Sequence, residues 1–180
     1  MVAALLVLVL GLGLAAASAR ADSQDERRVR TGARVFRTLL LADVALARKA
    51  GVDGKLDIAI YASAGAGIDD IMALIVPDGA GAQGPAIELR RVDALNETTP
   101  PPVGLFLATP LTETQLARAV DWSIRNQVIL YSPFEGDVER GATAGLSIEA
   151  KVLPFVNQHT LSASGVELKP FFLKVARVHR

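Results

Sequence analysis

The stretch that decides the fold is Gly141 to Arg177, GATAGLSIEAKVLPFVNQHTLSASGVELKPFFLKVAR. It opens on strict alternation, with Leu146, Ile148, Ala150 and Val152 apolar against Ser147, Glu149 and Lys151. That period belongs to a strand with one wet face. A short turn follows, and then Phe155 and Asn157, where Asn157 can cap a brief helix through His159, Leu161 and Ala163. Gly165 stands where such a helix needs a left-handed residue to stop. The last element spans Leu168 to Val178, and Pro170 suits its first turn because the ring presets a helical angle and no needed amide hydrogen is lost.

Upstream, the apolar positions Val29, Ala33, Phe36, Leu40, Val44 and Ala47 recur every three or four residues, predicting a long amphipathic helix that ends at Gly51. Residues Asp22 to Arg28 form a charged, apolar-poor lead, expected to be mobile at its start. Leu56 to Ala62 is a short apolar run bounded by Gly54 and by Ser63 to Gly67, hence a buried strand. Ile68, Ile71, Met72 and Ile75 predict the next helix, stopped by Pro77. Ala86 to Val92 and Val103 to Ala108 are two further strands, the second entered through Pro100, Pro101 and Pro102, which forbid a helix there.

Thr112 to Asn126 carries the clearest helix signal. Thr112 and Gln115 make a capping box, and Leu111 and Leu116 stand at the staple positions. Leu116, Val120 and Ile124 give its expected buried stripe, with Trp122 packing at its flank. Gln127 to Tyr131 is the fourth strand, and Ser132 to Arg140 a polar loop. The order predicts an α/β fold: a single layered domain with a mixed, mostly parallel sheet flanked by helices and an antiparallel C-terminal portion.

Of the 180 residues, 51% are hydrophobic, enough for one buried core. Val2 to Leu14 is an unbroken aliphatic and glycine run followed by Ala15 to Ala21 with Ser18 and Arg20, which predicts a signal peptide over 1–21 and a folded domain over 22–180. Cleavage falls after Ala19 or Ala21. Removing Arg20 takes the 19 basic side chains to 18 against 19 acidic ones. Bulk electrostatics therefore give no reason to expect nucleic acid as a partner. Cysteine is absent, so disulfides and thiol chemistry are excluded.

Candidate chemistry is sparse. Ser63, Ala64, Gly65, Ala66 and Gly67 lie between a strand and a helix, where backbone amides can cradle phosphate. The third glycine of a dinucleotide fingerprint would fall at Asp70, and Asp69 and Asp70 suit the helix dipole but repel phosphate. A tight structural turn is the expectation. If a small ligand binds, the C-terminal ends of parallel strands are its place, which nominates Ser63, Gly65, Gly67, Thr109 and Ser132. His159 and His179 are the two histidines, too few and too far apart for a zinc site without cysteine. No Gly-x-Ser-x-Gly elbow exists. The carboxylate pairs Glu113 with Asp121 and Asp137 with Glu139 are expected to be solvated helix and loop charge. No catalytic residue, metal or cofactor is called for.

With Gly145, Phe155, Asn157, Gly165, Leu173, Ala176 and Arg177 in that order, the C-terminal stretch resembles the YfiR-like family of periplasmic regulatory proteins. The likeness extends more weakly back to Val29. It implies a non-catalytic protein that binds a membrane-bound signalling protein, of diguanylate cyclase or histidine kinase type, and holds it inactive until an envelope signal releases it. A homodimer also fits the resemblance. Redox roles that disulfides play in the family do not carry over to a chain without cysteine. The alternative from the residues themselves is a periplasmic small-ligand-binding domain using the strand-end crevice.

Overall fold

The computed structural model describes residues 23–63, 66–76, 86–94 and 100–180. The expected signal peptide, Ala64 with Gly65, and Pro77 lie outside them. The elements in chain order are helix α1 (23–42), a 3-10 turn Leu46–Lys49, strand β1 (Leu56–Tyr61), α2 (Asp69–Ile75), β2 (Ile87–Val92), β3 (Gly104–Leu107), α3 (Glu113–Asn126), β4 (Ile129–Ser132), β5 (Ala144–Ile148), β6 (Val152–Asn157), α4 (Gln158–Ser164), α5 (Pro170–Val175) and β7 (Arg177–His179). One sheet holds all seven strands in the order β2-β1-β3-β4-β5-β6-β7. Every neighbouring pair is parallel except β5 with β6. The expected α/β class, with its mixed sheet and antiparallel C-terminal portion, is what the chain adopts.

Helix α1 starts earlier than the apolar spacing predicts. The charged lead is helical from residue 23, and Arg28 is buried with its Nε donating to the Pro133 carbonyl at 2.8 Å. The carbonyl takes one guanidinium donor and Glu135 Oε2 stands 4.0 Å from Arg28 Nη1 as its counter-charge, so the buried charge is both hydrogen-bonded and paired. Val29, Ala33, Phe36, Leu39 and Leu40 form the buried stripe. Phe36 stands against Phe106 of β3 and Tyr131 of β4, with ring centroids 5.5 and 5.3 Å away. The approach requires a glycine, since a Cβ on Gly104 would meet Phe36 Cζ and Leu40 Cδ2 at 2.8 Å. The helix ends at 42, short of Gly51, because Asp43 turns the chain. Its carboxylate accepts from the Ala45 amide at 2.8 Å and from Lys49 Nζ at 2.7 Å. Val44 and Ala47 are consequently exposed.

On α3, Thr112 and Gln115 form the expected capping box, with Thr112 Oγ1 accepting from the Gln115 amide at 3.3 Å and Gln115 Oε1 accepting from the Thr112 amide at 2.9 Å. The buried stripe is Leu116, Ala119 and Ser123. The helix is thus rotated by about one residue from the expected face, leaving Val120 and Ile124 half-buried.

The C-terminal stretch joins the sheet through β5. Its alternation is broken by a turn over residues 149–151, so the single expected strand becomes a hairpin in which Ile148 opposes Val152. Asn157 ties the end of this hairpin to the helix after it. Its Oδ1 accepts from the Thr160 amide at 3.0 Å as the α4 cap, its Nδ2 donates to the Val138 carbonyl at 2.8 Å, and its own amide donates to Thr143. Gly165 ends α4 at φ +68°, the left-handed conformation its position called for. The last element is not one helix from Leu168 to Val178. Helix α5 covers six residues, and the chain then straightens into β7, pairing Arg177 with Phe155.

Candidate functional site

The first five strands follow the order 2-1-3-4-5, in which the chain winds away from β1 in opposite directions to β2 and β3. Crevices open at the C-terminal ends of strands where winding reverses. Here a cleft of about 510 Å³ lies between the start of α1 and the β1–α2 turn, walled by Asp25, Glu26, Arg30, Gly67, Asp69, Asp70, Pro110 and Phe134. Four carboxylates face one guanidinium, and Arg30 is already paired with Asp70 at 3.0 Å. Such a cleft disfavours phosphate and other anions.

Of the nominated residues, Ser63 and Thr109 meet, the Ser63 amide donating to Thr109 Oγ1 at 3.2 Å. Gly67 lines the cleft, and Gly65 lies outside the described residues. Ser132 is fully buried beneath the β4–β5 connection. Its hydroxyl donates to Asp137 Oδ2 at 2.5 Å and accepts from the Phe134 amide at 3.2 Å, so its hydrogen-bonding capacity is spent on the fold.

Asp137 overturns one expectation. It is 3% exposed, not a solvated loop charge, and the connection from Ser132 to Arg140 buries Phe134 and Val138 beside it. Ser132 and Arg140 Nη2, the latter 2.5 Å from Asp137 Oδ1, satisfy the carboxylate. A buried carboxylate persists only with such partners.

Sequence reasoning missed Arg91. Its guanidinium donates to the carbonyls of Ala62, Ser63 and Ala66, the last at 3.1 Å. The β1–α2 turn is therefore gathered by its carbonyls around a cation. The signal was available, because Arg91 falls on the same face of β2 as Leu89 and Ile87, one step from the end of β1. Tyr131 presents the opposite case. Its hydroxyl has no hydrogen-bond partner among the described residues, and burial pushes its pKa far above the ordinary phenol value, against the opposing charge of Arg28.

A second cleft, of about 490 Å³, lies on the other face of the sheet between α3 and the ends of β1 and β2, with Tyr61, Asp93, Gln115, Arg118, Trp122 and Arg125 around it. Among the described residues no three His, Cys, Asp or Glu side chains converge to hold a metal ion, and no helix is long and apolar enough to cross a membrane.

Large apolar side chains are exposed unevenly. Ile148, Val152, Leu153, Phe171, Leu173 and Val175 all lie in the C-terminal stretch, with Leu41, Val44 and Val52 elsewhere among the described residues. Helix α5 is apolar nearly all round, yet it buries Phe172 and leaves Phe171 59% and Val175 57% exposed. An all-apolar helix is ordinarily covered on every side. The hairpin brings Ile148 beside Val152, and β7 begins next to Phe155, two residues on from Leu153. Lys151, Lys169, Lys174 and Arg177 are the exposed cations of the same segment, and Arg177 is held by Ser147 at 3.0 Å and Glu149 at 2.5 Å.

No family model and no curated protein matches the chain. Among solved structures it is similar to an ABC domain from Streptococcus pneumonia determined in complex with L-Trp, with 14% sequence identity and a TM-score of 0.55. The match covers 84% of this chain and 62% of that one, so the chain spans about three fifths of the length of its structural neighbour. At that identity the likeness is one of fold.

Proposed function

We propose that this chain is a non-catalytic regulatory protein, exported to the periplasm, that docks onto the extracytoplasmic part of a membrane signalling protein of diguanylate cyclase or histidine kinase type. The observation that carries the reading is the exposed trio Phe171, Leu173 and Val175 on α5, with Lys169 and Lys174 beside them in the chain. Contiguous exposed apolar side chains rimmed by polar ones mark protein interaction sites. The resemblance of the same stretch to the YfiR-like family supplies the kind of partner. Release by a signal then requires two states of different affinity for that partner. The test is co-purification of a membrane signalling protein with the tagged full chain, compared with the Phe171→Asp, Val175→Asp double variant. Both side chains are exposed, so the variant keeps its circular dichroism and loses the partner. Retained partner in the variant overturns the reading.

A second reading, a periplasmic small-ligand-binding domain, is favoured by the strand-end crevice and by a structural neighbour that carries L-Trp. A thermal-shift screen with envelope metabolites separates the two. Binding to the folded state alone must raise the melting temperature.

A further inference from the structure

We propose that the cleft between α3 and the end of β1 binds a small planar aromatic anion, a ring bearing a carboxylate or phosphate. The proposal does not depend on the docking face, which lies in a different part of the chain.

The cleft lies beside the crossover from β2 to β3. The connection from β2 to β3 crosses β1 to return on the far side, and right-handed crossover puts it on the face that α3 also covers. In its described parts, 93–94 and 100–103, it carries no helix. Tyr61, at the end of β1, is half-buried and lines the cleft.

The wall is one stripe of α3. Gln115, Arg118, Trp122 and Arg125 are spaced i, i+3, i+7 and i+10, which places them along a single side of the helix. Arg118 and Arg125 stand about 10 Å apart along the axis at 1.5 Å per residue, with Trp122 between them. The indole is half-buried, so one part of it packs and another is open to the cleft. Neither arginine has a hydrogen-bond or ion-pair partner among the described residues, a condition they share with Arg27, Arg34, Arg37, Arg48 and Arg180.

Each component selects part of the ligand. The faces of Trp122 and Tyr61 offer stacking to a planar ring. Two guanidiniums offer forked donors matched to carboxylate or phosphate oxygens. Among the described lining residues Asp93 is the opposing charge, which leaves a surplus of one positive charge. Exposed arginines on a helix are ordinarily solvated. What distinguishes these two is a concavity of ligand size, within the roughly 300–1,000 Å³ of small-molecule sites, with aromatic walls between them.

Trp122 is the sole tryptophan of the chain, so its emission reports this cleft and nothing else. The full chain is titrated with benzoate and with phenyl phosphate, excited at the red edge of the indole band, against acetate, inorganic phosphate and benzyl alcohol. The expected result is saturable quenching or a spectral shift by one or both ring-bearing anions at millimolar concentration or below. The partial ligands should be at least about tenfold weaker, since each lacks one element worth roughly 1.4 kcal/mol or more. Benzoate alone, or phenyl phosphate alone, identifies the anionic group. Arg118→Gln with Arg125→Gln should weaken binding by about tenfold or more, while Asp121→Asn, an exposed neighbour outside the cleft, leaves it unchanged. No response to either ring-bearing anion overturns the proposal. So does equal binding of the partial ligands, or undiminished binding by a folded double arginine variant.

Discussion

Gly145 is where the parallel part of the sheet and the C-terminal hairpin are joined, and replacing it with alanine should part them. Strands β4 and β5 share two register pairs, Tyr131 with Ala144 and Ser132 with Gly145. A Cβ on Gly145 would sit far inside contact distance of the Ser132 carbonyl oxygen and 2.8 Å from Val138 Cγ2. The first clash is with backbone, so no rotamer change relieves it. Moving Ser132 also disturbs the hydroxyl that holds Asp137, and with it a buried carboxylate. Overpacking costs about 1–3 kcal/mol and the loosened hydrogen bonds about 1 each, for a total near 3–4 kcal/mol. For a chain of this size that lowers the melting temperature by roughly 6–16 °C. Urea unfolding followed by circular dichroism measures it, with Gly67→Ala as the control, since no described residue lies within 4 Å of a Cβ there. A Gly145→Ala variant within about 0.5 kcal/mol of the parent would show that the β4–β5 approach has room for a Cβ, because surface substitutions fall in that range.

Thr112→Ala removes the α3 cap and should cost about 1 kcal/mol; an unchanged urea midpoint would show that the box contributes nothing. Tyr131→Phe deletes a buried hydroxyl without a partner among the described residues, so stability should hold or rise by up to about 1 kcal/mol, and a loss above that on the same assay counts against the packing described. Asp53 should titrate below the ordinary aspartate range, because the Lys55 amide donates to its carboxylate at 3.0 Å and the Lys55 charge lies nearby. The lowered value means the turn is favoured above the ordinary aspartate pKa and loses that support as pH falls through the depressed one; a carbon-detected NMR titration placing Asp53 at or above the ordinary value contradicts this.

Local signals were legible in the sequence and distant ones were not. The capping box of Thr112 and Gln115, the Asn157 cap and the Gly165 stop each depend on residues within a few positions, and each stands where its pattern put it. The hairpin turn over 149–151 was hidden because Glu149, Ala150 and Lys151 continue the strand alternation and include no glycine, proline or asparagine. Strand β7 has three residues, too few to show a period. Arg28 looked like surface charge because its partner Pro133 is distant in sequence, and Asp137 did so because its near neighbours Ser132 and Arg140 close on it only once the β4–β5 connection folds back. The same loop buries Ser132, whereas Ser63 and Thr109 come together as ends of adjacent parallel strands. The cleft beside Trp122 had no sequence signature, since Tyr61, Asp93 and the α3 residues that line it come from separate parts of the chain.

A docking face on α5, as proposed, puts a photocrosslinker at position 171 within reach of the membrane signalling protein it would bind. With benzoylphenylalanine in place of Phe171 in cells producing the full chain, illumination should yield one covalent adduct whose second component is a membrane signalling protein. The same probe at Asp121, on the outward side of α3, should yield none. Absence of an adduct from position 171, or an equal one from position 121, would contradict the account.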